Sequence, residues 1–374
     1  MTRALKIVPA NDTFAALIAF ADVLDGKSAL FISGPEVNGV KPEIAELPDT
    51  VSDDTALILE TSGSTGTPKR ISISREALIA SAKASSFALD ADETSSQWLL
   101  ALPINYIAGA NVLIRSMMAG SQPVIMNTSL PFTAEAFARM ASQMKAEKRF
   151  TSLVPTQLGR LAQAIDQDEF LLEQMRRFDA ILVGGQAVDY QLLGRLEALG
   201  INVVTTYGLT ETSGGCVYNG IPIGDTQFKL FDDRVSIKGS VLANVETDAD
   251  GFFATQDAGL VDESGRLAIL GRIDRVINSG GIKVSLDRVE QLAARVTGVV
   301  DVAATAINDV EWGQRVGIAY LGSPEVADDI AKALANDLGP AGKPIRLLRV
   351  DKIPKTSSSK NNLEAVAKLF EEIN

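Results

Sequence analysis

Ala56-Leu57-Ile58-Leu59-Glu60-Thr61-Ser62-Gly63-Ser64-Thr65-Gly66-Thr67-Pro68-Lys69 joins a short aliphatic run to a loop of hydroxyls, glycines and a lysine. The run has the composition of a buried strand. In the loop, Gly63 and Gly66 permit backbone conformations closed to other residues, the Ser and Thr hydroxyls supply donors, and Lys69 supplies a mobile cation. A loop so built can cradle a polyphosphate; a hydroxyl-rich surface turn is the plainer alternative. It is not a Walker A loop, because Gly66 is followed by Thr67-Pro68-Lys69-Arg70 where Gly-Lys-Ser/Thr is needed.

Outward from this loop, from Ala56 to about Thr206, apolar runs alternate with segments of helical period. The pattern predicts strands at Ala56–Glu60, Trp98–Leu102, Pro123–Asn127, Thr151–Val154, Ala180–Val183 and Asn202–Thr205. Helices are expected at Ser74–Phe87, with Ser74 as N-cap, at Thr133–Glu147 and at Asp189–Leu199. Such alternation argues an α/β domain with much parallel pairing. Between Thr226 and Leu270 it gives way to short strands with Asp/Gly turns, as in TDADGFFATQD, which predicts a β-rich subdomain. After Asp274 come roughly 100 residues, enough for a separate small α+β domain. Its expected elements are a helix at Ser285–Val296, strands at Val300–Ile307 and Arg315–Leu321, a helix at Pro324–Leu338, a strand at Ile345–Val350 and a helix at Leu363–Ile373. The expected boundary separates 1–273 from 274–374.

The 374 residues thus fit two domains, and a hydrophobic fraction of 46% with 6% aromatics is that of a soluble globular chain. With 35 Lys+Arg against 47 Asp+Glu the formal charge is −12, which opposes docking on nucleic acid or an anionic membrane. The single cysteine, Cys216, excludes an intramolecular disulfide framework, and no run approaches the ~18 apolar residues of a membrane span. The opening MTRALKIVPANDTFAALIAFADVLDG carries Asp12 and Asp22 around a short apolar stripe and shows no signal-peptide cleavage pattern. A reducing, cytoplasmic compartment is expected, with no membrane insertion. Histidine is absent, so His-based triads, His-metal sites and imidazole shuttles are excluded. Acid-base and electrostatic work falls to Lys, Arg, Asp, Glu and backbone dipoles.

Further motifs follow in order: Gly184-Gly185-Gln186 after an apolar strand, Tyr207-Gly208-Leu209-Thr210-Glu211 after the next, then Thr255-Gln256-Asp257, Gly271-Arg272-Ile273-Asp274, Ser279-Gly280-Gly281, and Pro354-Lys355-Thr356-Ser357-Ser358-Ser359-Lys360. Each taken alone has a bland reading as a turn, a hairpin or a surface ion pair. Together with the loop at Thr61–Lys69 they resemble the motif series of the adenylate-forming enzymes, which include acyl- and aryl-CoA ligases, peptide-synthetase adenylation domains and luciferases. The resemblance runs from Thr55 onward and implies the adenylate-forming fold, with a large N-terminal α/β domain, a β-rich subdomain and a small, mobile C-terminal α+β domain. The part before the loop is shorter than in most members, so the front end is expected to be reduced.

The resemblance also implies roles. Ser62, Gly63, Ser64, Thr65, Gly66 and Lys69 hold the phosphates of ATP, Gly185, Gln186, Tyr207 and Gly208 line the adenine, and Thr210 meets the α-phosphate. Glu211 helps hold Mg²⁺, a hard cation suited to carboxylate oxygen. Asp257 grips the ribose, Arg272 contacts the nucleotide, Asp274 is the hinge, and Gly280 and Gly281 line the CoA path. Lys360 reaches the nucleotide in adenylation, so the catalytic set is Lys360, Arg272 and Thr210. Gln256 and Ser359 stand where the family has glycine.

The segments Leu102–Gly109, Val112–Ser116 and Ser152–Leu158 resemble the o-succinylbenzoate-CoA ligases of menaquinone biosynthesis. Arg115 lies in an apolar helical stretch, where an unpaired guanidinium is costly to bury. It should have an anion: either the second carboxylate of an aromatic acid substrate, held in a bidentate fork, or an acid of the protein. Tyr106 falls in the substrate segment, where many relatives have histidine. The implied activity is a two-step, ATP-dependent acid-CoA ligation through an acyl-AMP. The alternatives are the same chemistry on another aryl or fatty acid, or a catalytically lapsed nucleotide-binding module.

If Lys360 serves adenylation alone, Lys360→Ala should lower acid-dependent pyrophosphate release by about 10² to 10³, as loss of one positioned charge-stabilising donor commonly does. Conversion of supplied acyl-AMP to thioester should persist. Equal loss in both half-reactions would remove Lys360 from that role.

Overall fold

A computed structural model describes residues 2–36, 40, 42, 44, 46–61, 69–91, 95–355 and 361–371. Two compact units emerge, one of residues 1–229, 236–254 and 263–267, the other of 230–235, 255–262 and 268–374.

The first unit begins with a five-stranded sheet: β1 (Thr2–Pro9), β2 (Ala29–Ser33), β3 (Thr50–Ser52), β4 (Leu57–Thr61) and β5 (Lys69–Ile73), in the order β3-β1-β2-β4-β5. Helix α1 (Thr13–Leu24) crosses between the parallel β1 and β2. Asp12 caps it by accepting the Ala15 N–H at 2.9 Å, and Ala16, Ala19, Phe20 and Val23 form its buried face at helical spacing. Helix α2 (Arg75–Ala88) follows β5, and Ser74 caps it as the sequence predicts, accepting the Ala77 N–H at 3.1 Å.

The second sheet is the frame of the unit. Its strands are β6 (Ser96–Leu100), β7 (Val124–Ile125), β8 (Lys148–Leu153), β9 (Ala180–Gly184), β10 (Val203–Leu209), β11 (Gly214–Tyr218) and β12 (Ile221–Pro222), in the order β12-β11-β10-β9-β8-β6-β7. From β7 to β10 every pairing is parallel; β11 and β12 turn back antiparallel. Helices α3 (Ile107–Met118), α4 (Ala134–Ala141), α5 (Pro155–Ala164), α6 (Glu169–Arg176) and α7 (Tyr190–Ala198) make the crossovers. Both faces of this sheet are covered, which explains the unbroken apolar runs. Trp98, Leu100, Phe150, Leu182 and Val204 face one core with α1, α2 and α3, while Leu99, Leu153, Ile181 and Val183 face another with Phe137, Leu158 and Leu196 of α4, α5 and α7. Paired Trp98 and Phe150 bring their ring centroids to 5.1 Å. Helix α4 stops at Ala141, short of the expected Glu147, because the N–H groups of Lys145 and Ala146 turn to Gln97 Oε1, at 2.7 and 3.3 Å.

The β-rich stretch is a sheet of β13 (Gln227–Phe231), β14 (Arg234–Lys238), β15 (Phe253–Val261) and β16 (Leu267–Arg272), paired in chain order. The second unit continues with β17 (Val276–Ser279), β18 (Ile282–Ser285), β19 (Val299–Asp309), β20 (Gly313–Gly322) and β21 (Arg346–Arg349). These strands pair as β18-β17-β20-β19, with β21 joining β20. Helices α8 (Leu286–Ala294), α9 (Val326–Gly342, broken at Gly339 where φ is +67°) and α10 (Leu363–Glu371) complete it. Val289, Leu292, Ile318, Ile330 and Leu334 form its core.

Cys216, in β11, is 0% exposed, and burial pushes its thiol up to about 11. Thiolate is the reactive form, so native protein at mildly alkaline pH should resist a disulfide reagent while the denatured chain labels at one thiol. Native labelling at the denatured rate would contradict the placement of β11 inside the sheet.

Candidate active site

The hairpin of β4 and β5 brings Thr61 opposite Lys69 and Glu60 opposite Arg70. Thr61 Oγ1 donates to the Lys69 carbonyl at 3.2 Å, which closes the foot of the loop. Ser62, Gly63, Ser64, Thr65 and Gly66 lie outside the described residues. At that foot, Lys69 Nζ stands 3.9 Å from Glu211 Oε1, the lysine 63% and the glutamate 18% exposed in their side chains. The loop's cation and the expected metal carboxylate thus share one place.

Glu211 is held there by the end of β10. Gly208 permits the close approach of β11, since a Cβ would fall 2.0 Å from the Gly214 carbonyl oxygen. Thr210–Thr212 form a single 3-10 turn, and Thr212 Oγ1 accepts the Leu209 N–H at 2.8 Å and donates to the Gly214 carbonyl at 2.8 Å. Ser213 follows in the left-handed region, at φ +51°. Its carbonyl accepts from Ser81 Oγ of α2 at 2.9 Å and from Asn111 Nδ2 of α3 at 2.8 Å, and its hydroxyl donates to the Val241 carbonyl at 2.7 Å. The Ala243 N–H donates to the Glu211 carbonyl at 2.9 Å. Thr210 and Glu211 are therefore displayed on a turn fixed from several sides. Ser81, Asn111, Thr212 and Ser213 are positioning groups missing from the sequence reading; a polar Asn111 within the apolar helix was the available signal.

Beside this turn, Thr206 of β10 pairs with Gly184 of β9, so Gly185–Gln186 and Tyr207–Gly208 leave the carboxyl end of the parallel sheet side by side. That edge is where α/β sheets bind ligands. Gly185 has φ +81°, and Gln186 is exposed. Tyr106, half-buried, is the N-cap residue of α3.

Arg115 lies in the last turn of α3, only 4% exposed. Its guanidinium sits 5.0 Å from the Trp98 ring centroid, and Nη2 donates to Tyr218 Oη at 3.3 Å. Tyr218 Oη is in turn 2.8 Å from Ser85 Oγ. The Nε of Arg115 is buried without a hydrogen-bond partner. Among the described residues no carboxylate pairs with it, and it does not touch Lys69 or Glu211.

In the second unit, Asp257 is 8% exposed on β15, its N–H donating to Thr255 Oγ1 at 3.1 Å. Gln256 points outward in extended strand, so the position does not require glycine. Arg272 presents its fork to Asp274, with Nε to Oδ1 at 2.8 Å and Nη2 to Oδ2 at 2.5 Å. This hydrogen-bonded pair holds the Asp274 carboxyl below the usual range and raises Arg272. Gly280 and Gly281, at φ +62° and +86°, are the two-residue turn between β17 and β18, and a Cβ at Gly281 would meet nothing within 4 Å. Lys360 lies outside the described residues; flanking it, Lys355 and Asn361 form an isolated bridge, and Lys355 Nζ pairs with Asp301 at 2.8 Å.

Among the described residues no group of three or more His, Cys, Asp or Glu forms a metal cluster. A lone carboxylate such as Glu211 suits Mg²⁺ that keeps its waters and a nucleotide's phosphates as further ligands.

A family model described as AMP-binding enzyme matches residues 7–248, and one described as AMP-binding enzyme C-terminal domain matches residues 288–360. The chain is 34% identical to a probable 2-succinylbenzoate–CoA ligase of Mycobacterium tuberculosis, over 98% of this chain and 98% of the relative. It is 27% identical to a 2-succinylbenzoate–CoA ligase of Bacillus licheniformis, over 86% of this chain and 72% of that one. The solved o-succinylbenzoate CoA synthetase (MenE) of Bacillus subtilis, in complex with the acyl-adenylate intermediate OSB-AMP, matches with a TM-score of 0.76 at 21% identity, covering 96% of this chain and 82% of that one. The fold is therefore the adenylate-forming fold. Matched in order by both family models and along its length by a relative, the chain belongs to the AMP-binding enzyme family.

Proposed function

We propose that this chain is an AMP-forming 2-succinylbenzoate–CoA ligase that acts on ATP, Mg²⁺, the aromatic acid and CoA. The observation that carries the reading is Lys69 facing Glu211 at the carboxyl end of β10, a cation and a carboxylate at the foot of a hydroxyl-rich loop. In the first step a substrate carboxylate oxygen attacks the α-phosphorus of ATP and pyrophosphate leaves. Ser62 to Lys69 hold the phosphates, Thr210 donates to the α-phosphate, and Glu211 holds Mg²⁺, which when bound neutralises the developing charge. Tyr207, Gly185 and Gln186 seat the adenine, Asp257 the ribose, and Arg272 and Lys360 orient the reacting groups. In the second step the CoA thiol attacks the acyl carbon, giving up its proton, and AMP leaves. Rotation about Asp274 of the domain 274–374 against 1–273 withdraws Lys360 and presents Gly280 and Gly281 to the thiol's path.

Arg115 supports the choice of acid. It is a buried cation with one side-chain hydrogen bond, a stacked Trp98 and an unpartnered Nε, so one of its buried donors is unspent. We propose that a second substrate carboxylate uses it, and that Tyr106, at the other end of α3, also meets the acid. Among the described residues no helix is long and apolar enough to cross a membrane. ATP and CoA as co-substrates fit the cytoplasm.

Incubation of o-succinylbenzoate with ATP, Mg²⁺ and CoA should yield the acyl-CoA by mass spectrometry, with pyrophosphate released only when acid is present. ATP binding without acid-dependent pyrophosphate would mark a lapsed module. Arg115→Leu should lower kcat/KM for o-succinylbenzoate about ten- to a hundredfold, the scale of a charge-assisted pair, and much less for an analogue lacking the second carboxylate. Parallel losses for both acids with a lowered melting temperature would return Arg115 to the scaffold.

A further inference from the structure

Asp287, in the first turn of α8, uses both of its carboxylate oxygens on the segment around Asp274. Oδ2 accepts the backbone N–H of Arg272 at 2.7 Å, and Oδ1 forms an ion pair with Arg275 Nε at 2.5 Å. The two partners lie on opposite sides of Asp274 in the chain. Gly271 is shaped to this contact: its φ is +135°, and a Cβ would stand 2.7 Å from Asp287 Oδ2. Arg275 is anchored deeper, since its Nη2 pairs with Glu290 Oε1 at 2.7 Å and Glu290 accepts the Ala304 N–H of β19 at 2.7 Å. Asp287, Arg275, Glu290 and β19 are therefore one body, to which the chain before Asp274 is joined by the charge-assisted Arg272 N–H bond and, more weakly, by Ser285 Oγ donating to the Leu270 carbonyl at 3.4 Å.

We infer that Asp287 is a positioning residue that sets the balance between the two half-reactions, by bonding the chain before Asp274 to the domain after it. The inference rests on the proposed two-step ligase with its pivot at Asp274. Rotation there leaves the Asp287–Arg275 pair intact, because both residues lie beyond the pivot, and breaks the bond to Arg272 N–H. The bond thus weights one arrangement against the other, and a bond present in one of two states shifts their populations by its full worth. It also fixes the backbone from which the Arg272 side chain is presented.

The test measures acid-dependent pyrophosphate release and, separately, single-turnover conversion of supplied acyl-AMP to thioester, in the full-length wild type, Asp287→Ala and Asp287→Asn. The ratio of the two rates should move about ten- to a hundredfold in Asp287→Ala, the scale of one charge-assisted bond. It should return toward wild type in Asp287→Asn, which keeps an acceptor for the Arg272 N–H. Should Asp287→Ala fail to fold, Asp287→Asn and Asp287→Ser supply the comparison, with the serine variant shifted further. A merely structural residue would lower the melting temperature and both rates together, so an unchanged ratio overturns the inference alone. A wild type that makes no acyl-CoA overturns the ligase reading and this inference with it.

Discussion

One carbonyl oxygen, that of Ser213, holds the candidate site in place. It accepts one hydrogen bond from α2 and one from α3, and the left-handed conformation of its residue turns the chain from the 3-10 turn into β11. All of these donors and acceptors are buried, so each bond replaces water that cannot return, and loss of one partner leaves another orphaned. Thr210 and Glu211 inherit their positions from this junction. Groups that stabilise charge must be fixed before the charge develops, and a buried, fully used acceptor provides that fixity.

The parallel sheet supplies the other half of the arrangement. Its two covered faces leave the strand ends as the natural place for a ligand, and β9 and β10 deliver their loops side by side there. Without histidine, charge is managed by pairs of cations and carboxylates, among them Lys69 facing Glu211 and Arg272 clasping Asp274. The second of these is more than a third exposed on both partners, so water screens it and it can be exchanged for another partner at little cost in stability.

Much of this was legible in the sequence, and the reason is periodicity. Strands β8, β9 and β10 and helices α2, α7, α8 and α10 follow apolar runs and caps such as Ser74 and Asp189, which act locally. The early end of α4 was not legible, because Gln97, distant in sequence, captures the N–H groups that would have continued the turn. The Ser213 junction was hidden for a similar reason: its acceptor is a backbone atom, and Ser81 looks like any small residue on a packed face. Gln256 shows the reverse case, a departure from a motif at a position whose extended backbone does not require glycine.

The burial of Cys216 has a consequence for chemical self-damage. An acyl-adenylate is a mixed anhydride, able to acylate any thiolate within reach, and a thiol co-substrate can form mixed disulfides with exposed cysteines. On the ligase reading both species arise at this protein's own surface. The chain's one thiol lies inside a sheet, protonated far above neutral pH, and imidazole, another nucleophile that accepts acyl groups, is missing from the composition. On the ligase reading, the intermediate therefore meets no accessible sulfhydryl and no imidazole of the chain that forms it.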